Sequence, residues 1–219
     1  MLPKSKRLIL ASGSPRRSEL IQSLDISVDV IPSDTEEPLP KAGESAGKYV
    51  VRLALMKAMN VAAKYPEDSV IGADTVVVFR GRVIGKPKNE GEATRILESL
   101  RGTAHSVVTG IAVVTPHTME TSWLSTSIIM RDYLDSEIAS YVESGEPFDK
   151  AGGYAVQDPE FHPAKVVEGC YLNVVGFPLC EVMTVLRRSG IAVSIKYDRI
   201  TPTLCPGSCP LNLDIPNLT

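Results

Sequence analysis

The sequence has few histidines and no long apolar run, and these shortages exclude several classes of protein. Its three histidines are isolated from one another and show no spacing typical of a metal site. No apolar run approaches the roughly 20 residues of a membrane span, so we expect no membrane partner. The basic start of residues 1–10 is followed by an apolar run too short for a secretory signal.

Cysteine is also scarce, with four residues in 219: Cys170, Cys180, Cys205 and Cys209. A chain of this length has no need of disulfides to stabilise its core, so buried thiols in a reducing compartment are favoured over cross-links. Cys205 and Cys209 lie in a Pro-rich tail without matching histidines, which argues against a zinc site. We therefore expect a cytoplasmic protein.

The formal net charge is −3, which is not typical of a general nucleic-acid binder, so we expect no nucleic-acid partner. Strands and helices alternate in the first half, while later strands form hairpins. This order predicts an α/β protein with a mixed central β-sheet flanked by helices, in two lobes around a cleft. We expect one domain over residues 1–200 and a Pro-rich C-terminal extension over residues 201–219.

Hydrophobic periodicity and capping signals place the individual elements along the chain. The predicted helices span residues 15–20, 46–64, 91–100, 135–145 and 178–188. The predicted strands span residues 8–11, 28–31, 69–79, 82–86, 105–114, 121–130, 165–167 and 171–175.

The stretch "LILASGSPRRSEL" reads as a strand, a turn of small residues and a helix capped by Ser14. The first turn of a helix prefers acidic residues, yet Arg16 and Arg17 lie there. One interpretation is that a bound phosphate shares this helix end with the two guanidinium groups. The other is that the arginines point to solvent or pair with Glu19 or another acid. The sequence contains no P-loop motif.

The stretch "SVIGADTVVVF" places Asp74 inside an otherwise apolar strand. An ionised carboxylate there costs several kcal/mol unless it is paired or bound to a cation. We therefore favour a functional carboxylate over a structural ion pair. Gly72 permits close approach of another backbone, and Thr75 supplies a hydroxyl.

Four other polar side chains are candidates with plain alternatives. Lys57 lies on the apolar stripe of its helix, where either snorkelling or a site explains it. Lys86 ends a strand opposite Thr75, where it is either solvated or part of a shared pocket. Glu37 lies in an acidic loop, and Gln157 lies in a glycine-containing loop that suits ligand binding.

Together these residues have a chemical logic. Two arginines and two lysines can neutralise a polyphosphate, and carboxylates can hold a divalent cation or activate water. Nothing in the sequence offers a Ser-His-Asp or Cys-His nucleophile. Metal-assisted hydrolysis by water fits this set of residues best.

The sequence resembles the Maf family of nucleoside triphosphate pyrophosphatases in five segments. In chain order these are "LILASGSPRRSEL", "GADTVV", "GKP", "DKAGGYAVQ" and "VVGFPL". The likeness runs from about residue 7 to residue 188. It implies a Maf/ITPase-like α/β fold, a homodimer, and hydrolysis of a nucleoside triphosphate to the monophosphate and pyrophosphate. It also implies a divalent metal ion, Mg²⁺ or Mn²⁺.

The resemblance assigns roles residue by residue. Asp74 takes the part of the catalytic base, with Lys57 and Lys86 lining the same cleft. Ser12, Arg16 and Arg17 belong to the phosphate site. Glu37 and Asp74 are the implied metal ligands. Arg16, Thr75 and Gln157 match the positions that are associated with the choice of nucleotide.

The pattern "SPRR", "GADT" and a glutamine in the later loop resembles the subgroup acting on dTTP and UTP, with modified pyrimidine nucleotides as further substrates. The subgroup acting on 7-methyl-GTP commonly has an aromatic residue in place of Arg16. One departure is "YAVQDPE", because the family more often has glycine after the glutamine. The competing hypothesis is a non-catalytic nucleotide-binding regulator of septum formation and cell division.

Overall fold

A computed structural model describes residues 7–196 of the chain. The predicted extension over residues 201–219, with its two cysteines, lies outside the described residues, as does the predicted domain end at residue 200. Cys170 and Cys180 are buried, in keeping with their predicted place in the core. The strands are β1 (Leu8–Leu10), β2 (Val28–Val30), β3 (Ser69–Phe79), β4 (Arg82–Ile84), β5 (Ala104–Val114), β6 (Met119–Met130) and β7 (Ala164–Glu168). The helices are α1 (Pro15–Ile21), α2 (Ala46–Ala62), α3 (Glu90–Leu100), α4 (Asp135–Glu143), α5 (Tyr171–Val175) and α6 (Leu179–Arg188).

The strands form one mixed sheet in the order β2-β1-β3-β5-β6-β7. β1 runs parallel to β2 and β3, whereas β5, β6 and β7 follow as antiparallel neighbours. β5 pairs with β3 from Val70 to Val78, so β4 must pair with β3 on the side where β1 lies. The mixed α/β sheet flanked by helices is as predicted.

Local signals determine where several elements begin and turn. The side chains of Ser14, Ser45 and Asn89 cap α1, α2 and α3 by accepting a hydrogen bond from a main-chain N–H three residues on. Arg80 and Gly81 have φ angles of 49° and 74°, as a two-residue hairpin turn requires. This turn pairs Phe79 with Arg82 and carries the chain from β3 into β4.

The two predicted lobes lie along one face of β3. Ile71 and Ala73 pack in a cluster with α1 and α6, whereas Val77 packs in a second cluster with α3 and α4. Because side chains alternate along a strand, all three point to the same face, and Thr75 lies between the two clusters. The middle of β3 is therefore the boundary between the lobes.

Helix α2 covers the opposite face of β3 and β5 at very close range. A Cβ atom at Gly72 would overlap the carbonyl oxygen of Ala54, and one at Gly110 would overlap the main chain of Val50. Only glycine lets the helix backbone lie directly on the sheet at these two points. Gly72 thus permits the close approach predicted for it, and the contact places the middle of α2 beside Asp74.

The predicted strand over residues 171–175 is wrong, because this segment is helix α5. Tyr171 to Val175 is rich in residues that favour strands, but the side chain of Asn173 enters the core instead. Its Nδ2 donates to the carbonyl oxygen of Val107 at 2.9 Å and to Thr126 Oγ1 at 3.0 Å. Gly176, with φ of 108°, then ends the helix.

Other boundaries move by small amounts. The strand predicted over residues 82–86 ends at Ile84, so Lys86 lies in the following loop. Asp135, predicted to cap its helix, is the first residue of α4 instead. Leu134 occupies the N-cap position, and its N–H donates to Glu137 Oε2 at 2.7 Å. Within residues 7–196, no helix has both the length and the apolar character needed to cross a membrane.

Candidate active site

A cavity of about 310 Å³ lies beside the middle of β3. The walls come from α2, the β3–β4 hairpin, the segment over residues 149–157 and the end of α5. We name it the main cavity. A second opening of about 340 Å³, the adjoining cavity, lies beside the start of α1 and shares with it the side chains of Ser14, Arg16, Arg17, Glu37, Lys57, Lys86 and Asp149.

The charged centre of the main cavity is a lysine between two carboxylates. Lys57 Nζ lies 2.6 Å from Asp74 Oδ1 and 2.6 Å from Glu37 Oε1. The side chains of Lys57 and Asp74 are 14% and 7% exposed, while that of Glu37 is 49% exposed. Lys57 therefore lies on the apolar stripe of α2 because it pairs with Asp74, and it does not extend into solvent. Its part in a functional site stays a prediction.

The surroundings shift the pKa values of the two carboxyl groups in opposite directions. Burial raises the pKa of Asp74 above the ordinary 3.8, and the charges of Lys57 and Arg17 oppose this without cancelling it. Burial also acts to raise the pKa of Glu37, but the hydrogen bond and charge of Lys57 outweigh it, so that pKa is lowered. The direction for Asp74, which the sequence left open, is thus decided by how deeply the fold buries it.

Arg17 is partly buried, and the protein supplies acceptors for its guanidinium group. Its guanidinium group donates to the carbonyl oxygens of Ala73 at 2.7 Å and Gly176 at 2.9 Å, and to Thr75 Oγ1 at 3.0 Å. A longer contact of 3.4 Å reaches Ser12 Oγ. Arg17 therefore joins α1, β3 and the end of α5, which is a role that its sequence position did not reveal.

Arg16 faces the cavities and is more weakly held. Its Nη1 lies 3.5 Å from Asp149 Oδ2, and its side chain is 28% exposed. The structure thus contains the acid partner considered as the alternative to phosphate. Lys86 also lines both cavities, and its charge lowers the pKa of Glu37. Lys86 is exposed and lines the same cavity as Asp74, so both solvation and the shared pocket describe it.

Thr75 and Gln157 both line the main cavity, but in different ways. Thr75 Oγ1 lies 2.9 Å from Thr109 Oγ1 and accepts from Arg17, so its hydroxyl is engaged within the protein. Gln157 lies where the main cavity meets a third cavity of about 640 Å³ next to α4. Ser12 is buried and lines the adjoining cavity, where its Oγ accepts from the N–H of Ser14 at 3.2 Å.

Sequence reasoning missed Asp149, Lys150 and Tyr154 as wall residues. Lys150 Nζ is buried and lies 2.6 Å from Asp149 Oδ1 and 2.8 Å from Glu146 Oε2. This arrangement holds the carboxylate that pairs with Arg16. The segment "DKAGGYAVQ" offered a signal, because binding residues are often found in loops and this loop carries two charged side chains.

The donor set fits a divalent cation that is shared with a ligand. Over residues 7–196 no group of three or more His, Cys, Asp or Glu side chains could hold a metal ion by itself. Two carboxylates do converge on Lys57, and a pair of carboxylates completed by substrate phosphates is a common Mg²⁺ arrangement. Glu37 and Asp74, predicted as metal ligands, are thus suited to a metal–triphosphate complex rather than to a free ion.

Comparison with known proteins gives long and consistent matches. A family model described as "Maf-like protein" matches residues 7–189. A dTTP/UTP pyrophosphatase of Thermomicrobium roseum is 43% identical over 204 residues, covering 93% of each chain. A dTTP/UTP pyrophosphatase of Geotalea uraniireducens is 44% identical over 192 residues, covering 87% of this chain and 98% of that protein. A solved nucleoside-triphosphatase, a dITP/XTP pyrophosphatase from Mycobacterium abscessus, aligns with a TM-score of 0.38 at 18% identity, over 58% of this chain and 75% of that one.

Proposed function

The chain belongs to the Maf-like protein family, and we propose that it hydrolyses dTTP and UTP, and modified pyrimidine nucleotides, to the monophosphate and pyrophosphate. The observation that carries the proposal is the buried carboxylate of Asp74, held by Lys57 beside a cavity lined with cations. The relatives matched over most of the chain are named as pyrophosphatases for these two nucleotides.

Asp74 is the proposed general base. Lys57 engages Oδ1, and we assign Oδ2 to a water molecule placed between the carboxylate and the α-phosphorus. Asp74 takes a proton from this water, the water oxygen bonds to the α-phosphorus, and the bond from that phosphorus to the β-phosphate oxygen breaks. Pyrophosphate leaves, and the nucleoside monophosphate keeps the new oxygen. Lys57 orients the carboxylate and favours its ionised form.

The cationic lining binds the triphosphate in this proposal. Arg16, Lys86 and Lys57 line both cavities, and the carboxylates of Glu37 and Asp149 lie among them. We propose that an extended polyphosphate spans the two cavities and binds these three cations. Ser12 adds a hydroxyl on the adjoining side. The guanidinium N–H groups of Arg17 mostly donate to acceptors of the protein, so we assign Arg17 mainly to shaping the site and supplying positive charge.

Glu37 and Asp74 are the residues that would hold the divalent cation, for which Mg²⁺ and Mn²⁺ are the candidates. The cation, when bound, neutralises charge on the phosphate oxygens. Both carboxylates already accept from Lys57, so this lysine and the cation would share one carboxylate pair. Arg16, Thr75 and Gln157 remain the positions proposed to select the nucleotide.

A product analysis tests the function directly. The protein is incubated with Mg²⁺ or Mn²⁺ and a panel of nucleotides in H₂¹⁸O. The products are then separated, and their masses are measured by mass spectrometry. We expect monophosphate and pyrophosphate, with ¹⁸O in the monophosphate, and the highest kcat/KM for dTTP and UTP. Label in pyrophosphate, or release of single phosphates, would contradict the proposed attack.

The alternative, a non-catalytic regulator of septum formation and cell division, is not favoured. A sensor needs affinity but has no use for a carboxylate buried at an energetic cost beside the phosphate site. Tight binding of dTTP without turnover, across the whole panel and with both metals, would reverse this preference.

The homodimer and the cytoplasmic location also belong to the proposal. Light scattering after gel filtration measures the mass directly, and we expect about twice the 23.6 kDa of one chain. The cytoplasmic location stays a prediction from cysteine usage, and imaging of the full chain in its own cell tests it.

A further inference from the structure

The middle of β3 has an uncovered edge that opens into the main cavity. On the side away from β5, β1 pairs with β3 only as far as Ile71, and β4 begins to pair at Val77. The intervening stretch of β3 therefore has no neighbouring strand on that side. Such an edge presents main-chain N–H and C=O groups that can form the hydrogen bonds of a missing strand.

The register shows which main-chain groups face this gap. The carbonyl oxygen of Ile71 accepts from Ala11 N at 2.8 Å, so the odd-numbered residues of β3 direct their main-chain groups toward the β1 side. Two odd-numbered residues lie in the gap, Ala73 and Thr75. Arg17 Nη1 donates a hydrogen bond to the carbonyl oxygen of Ala73 at 2.7 Å. For Thr75, no residue between 7 and 196 forms a hydrogen bond with its main-chain N–H or C=O across this edge, and Thr75 lines the cavity.

We propose that the main-chain N–H and C=O of Thr75 read the base of the nucleotide. This inference rests on the proposed function and names how that site selects its substrate. In uracil and thymine the N3–H donor is adjacent to the O4 acceptor. The N3–H donates to the Thr75 carbonyl while O4 accepts from the Thr75 N–H, so the base lies in the plane of the sheet where a strand would otherwise pair.

The chemistry of the bases explains the expected selectivity. Cytosine presents an acceptor at N3 and an amino donor at C4, so both of its groups meet a like group on Thr75. Unpaired polar groups in a closed site are costly, and this penalty rejects the wrong base. Guanine has the same donor and acceptor order as uracil, so its exclusion depends on size in a cavity of about 310 Å³.

The surrounding wall suits the same placement. Four valines, Val77, Val83, Val107 and Val174, line the main cavity but not the adjoining one. By contrast, Arg16, Arg17, Lys57 and Lys86 line both cavities. A flat apolar ring therefore belongs on the side of Thr75, and the triphosphate belongs toward α1. The hydroxyl of Thr75 is engaged by Arg17 and Thr109, so the main chain rather than the side chain is free to serve as the reader.

The first test uses substrate analogues on the full chain. We expect N3-methyl-UTP to lose about 10- to 100-fold in kcat/KM relative to UTP, since it cannot donate at N3. Pseudouridine triphosphate still presents N3–H beside a carbonyl oxygen, because its C2=O occupies the place of the C4=O of uridine. It loses no hydrogen bond to Thr75 and should remain within about threefold of UTP. Equal turnover of N3-methyl-UTP and UTP would overturn the inference and leave the pyrophosphatase activity standing.

Two variants separate the main chain from the side chains. Thr75→Val removes the hydroxyl but keeps the N–H and C=O, so activity falls as Arg17 loses a contact while the preference for UTP over CTP persists. Loss of that preference would assign the reading to the hydroxyl and overturn the inference. Gln157→Ala tests the other candidate reader, and collapse of the preference in that variant alone would likewise overturn it.

Binding measurements keep the inference separate from catalysis. Calorimetry with the non-hydrolysable α,β-methylene analogues of UTP and CTP measures base selection without turnover. Tighter binding of the UTP analogue with no hydrolysis of UTP itself would refute the proposed reaction but support the reading by Thr75. Equal affinities for both analogues would refute the reading, whatever the turnover.

Discussion

Replacing Asp74 by asparagine removes one proton acceptor and almost nothing else from the site. Asparagine has nearly the same shape and keeps an oxygen that accepts from Lys57, which lies 2.6 Å from Oδ1. It cannot take a proton from water. We expect kcat for dTTP to fall by roughly 10²–10⁴, the range for a positioned base, which corresponds to about 2.7–5.5 kcal/mol in the barrier.

The structure also predicts that Asp74→Asn folds normally. Lys57 keeps Glu37 as a charged partner at 2.6 Å, so the substitution leaves no buried cation alone. Burial raises the pKa of Asp74 in the folded protein, so near neutral pH its ionised form weakens the fold relative to a neutral side chain. A thermal midpoint equal to or above that of the unchanged protein is therefore expected.

The assay combines steady-state turnover of dTTP, thermal denaturation and binding of a non-hydrolysable analogue. Asp34→Asn is the matched control, because Asp34 pairs with Lys64 at 3.1 Å on an exposed surface. A stable Asp74→Asn protein with near-normal kcat would remove Asp74 from the mechanism. Partial recovery with excess Mg²⁺ or Mn²⁺ would assign it mainly to the metal, and a lowered thermal midpoint would make it a structural partner of Lys57.

Three further outcomes follow from the same geometry. The rate should rise with pH as Asp74 ionises, so the acid limb of the kcat/KM profile should lie above pH 3.8. In Lys57→Met this limb should move to higher pH, because the variant loses the opposing charge. An acid limb at or below pH 3.8 would contradict this reasoning. Arg16→Ala should raise KM for the triphosphate by about 1.5–3 kcal/mol, measured against a nucleoside that carries no phosphate, and an unchanged KM would exclude Arg16 from phosphate binding. Gly72→Ala should lower the free energy of unfolding by about 1–3 kcal/mol and reduce kcat, because a Cβ atom there pushes α2 and Lys57 away from β3. The control Gly91→Ala should leave the denaturation midpoint nearly unchanged, because only Asn89 lies near that position.

The features of the fold that could be predicted from the sequence depend on interactions between residues close together in the chain. The span of β3 was predicted to the residue, because alternation, β-branched side chains and the following Arg80 and Gly81 turn act within one segment. The cap at Ser14 was predicted for the same reason. Asp74 could also be selected from sequence alone, since a carboxylate in an apolar strand is costly wherever that strand lies.

Where local patterns failed, long-range contacts decided the outcome. Residues 171–175 became helix α5 because Asn173 finds partners on β5 and β6, which no local propensity can reveal. The two interpretations of Arg16 and Arg17 likewise could not be separated from sequence. In the structure Arg17 is turned inward to main-chain carbonyls, whereas Arg16 remains at the cavity beside Asp149.

The residue types of this site, its candidate base and its cations were thus determined by the sequence itself. Their arrangement was decided only by the tertiary structure. Gly72 and Gly110 bring α2 onto the sheet, and this contact sets Lys57 against Asp74 and buries most of the carboxylate. The direction of a pKa shift and the exposure of a strand edge depend on what surrounds a group in space, because burial and charge act through distance rather than through position along the chain.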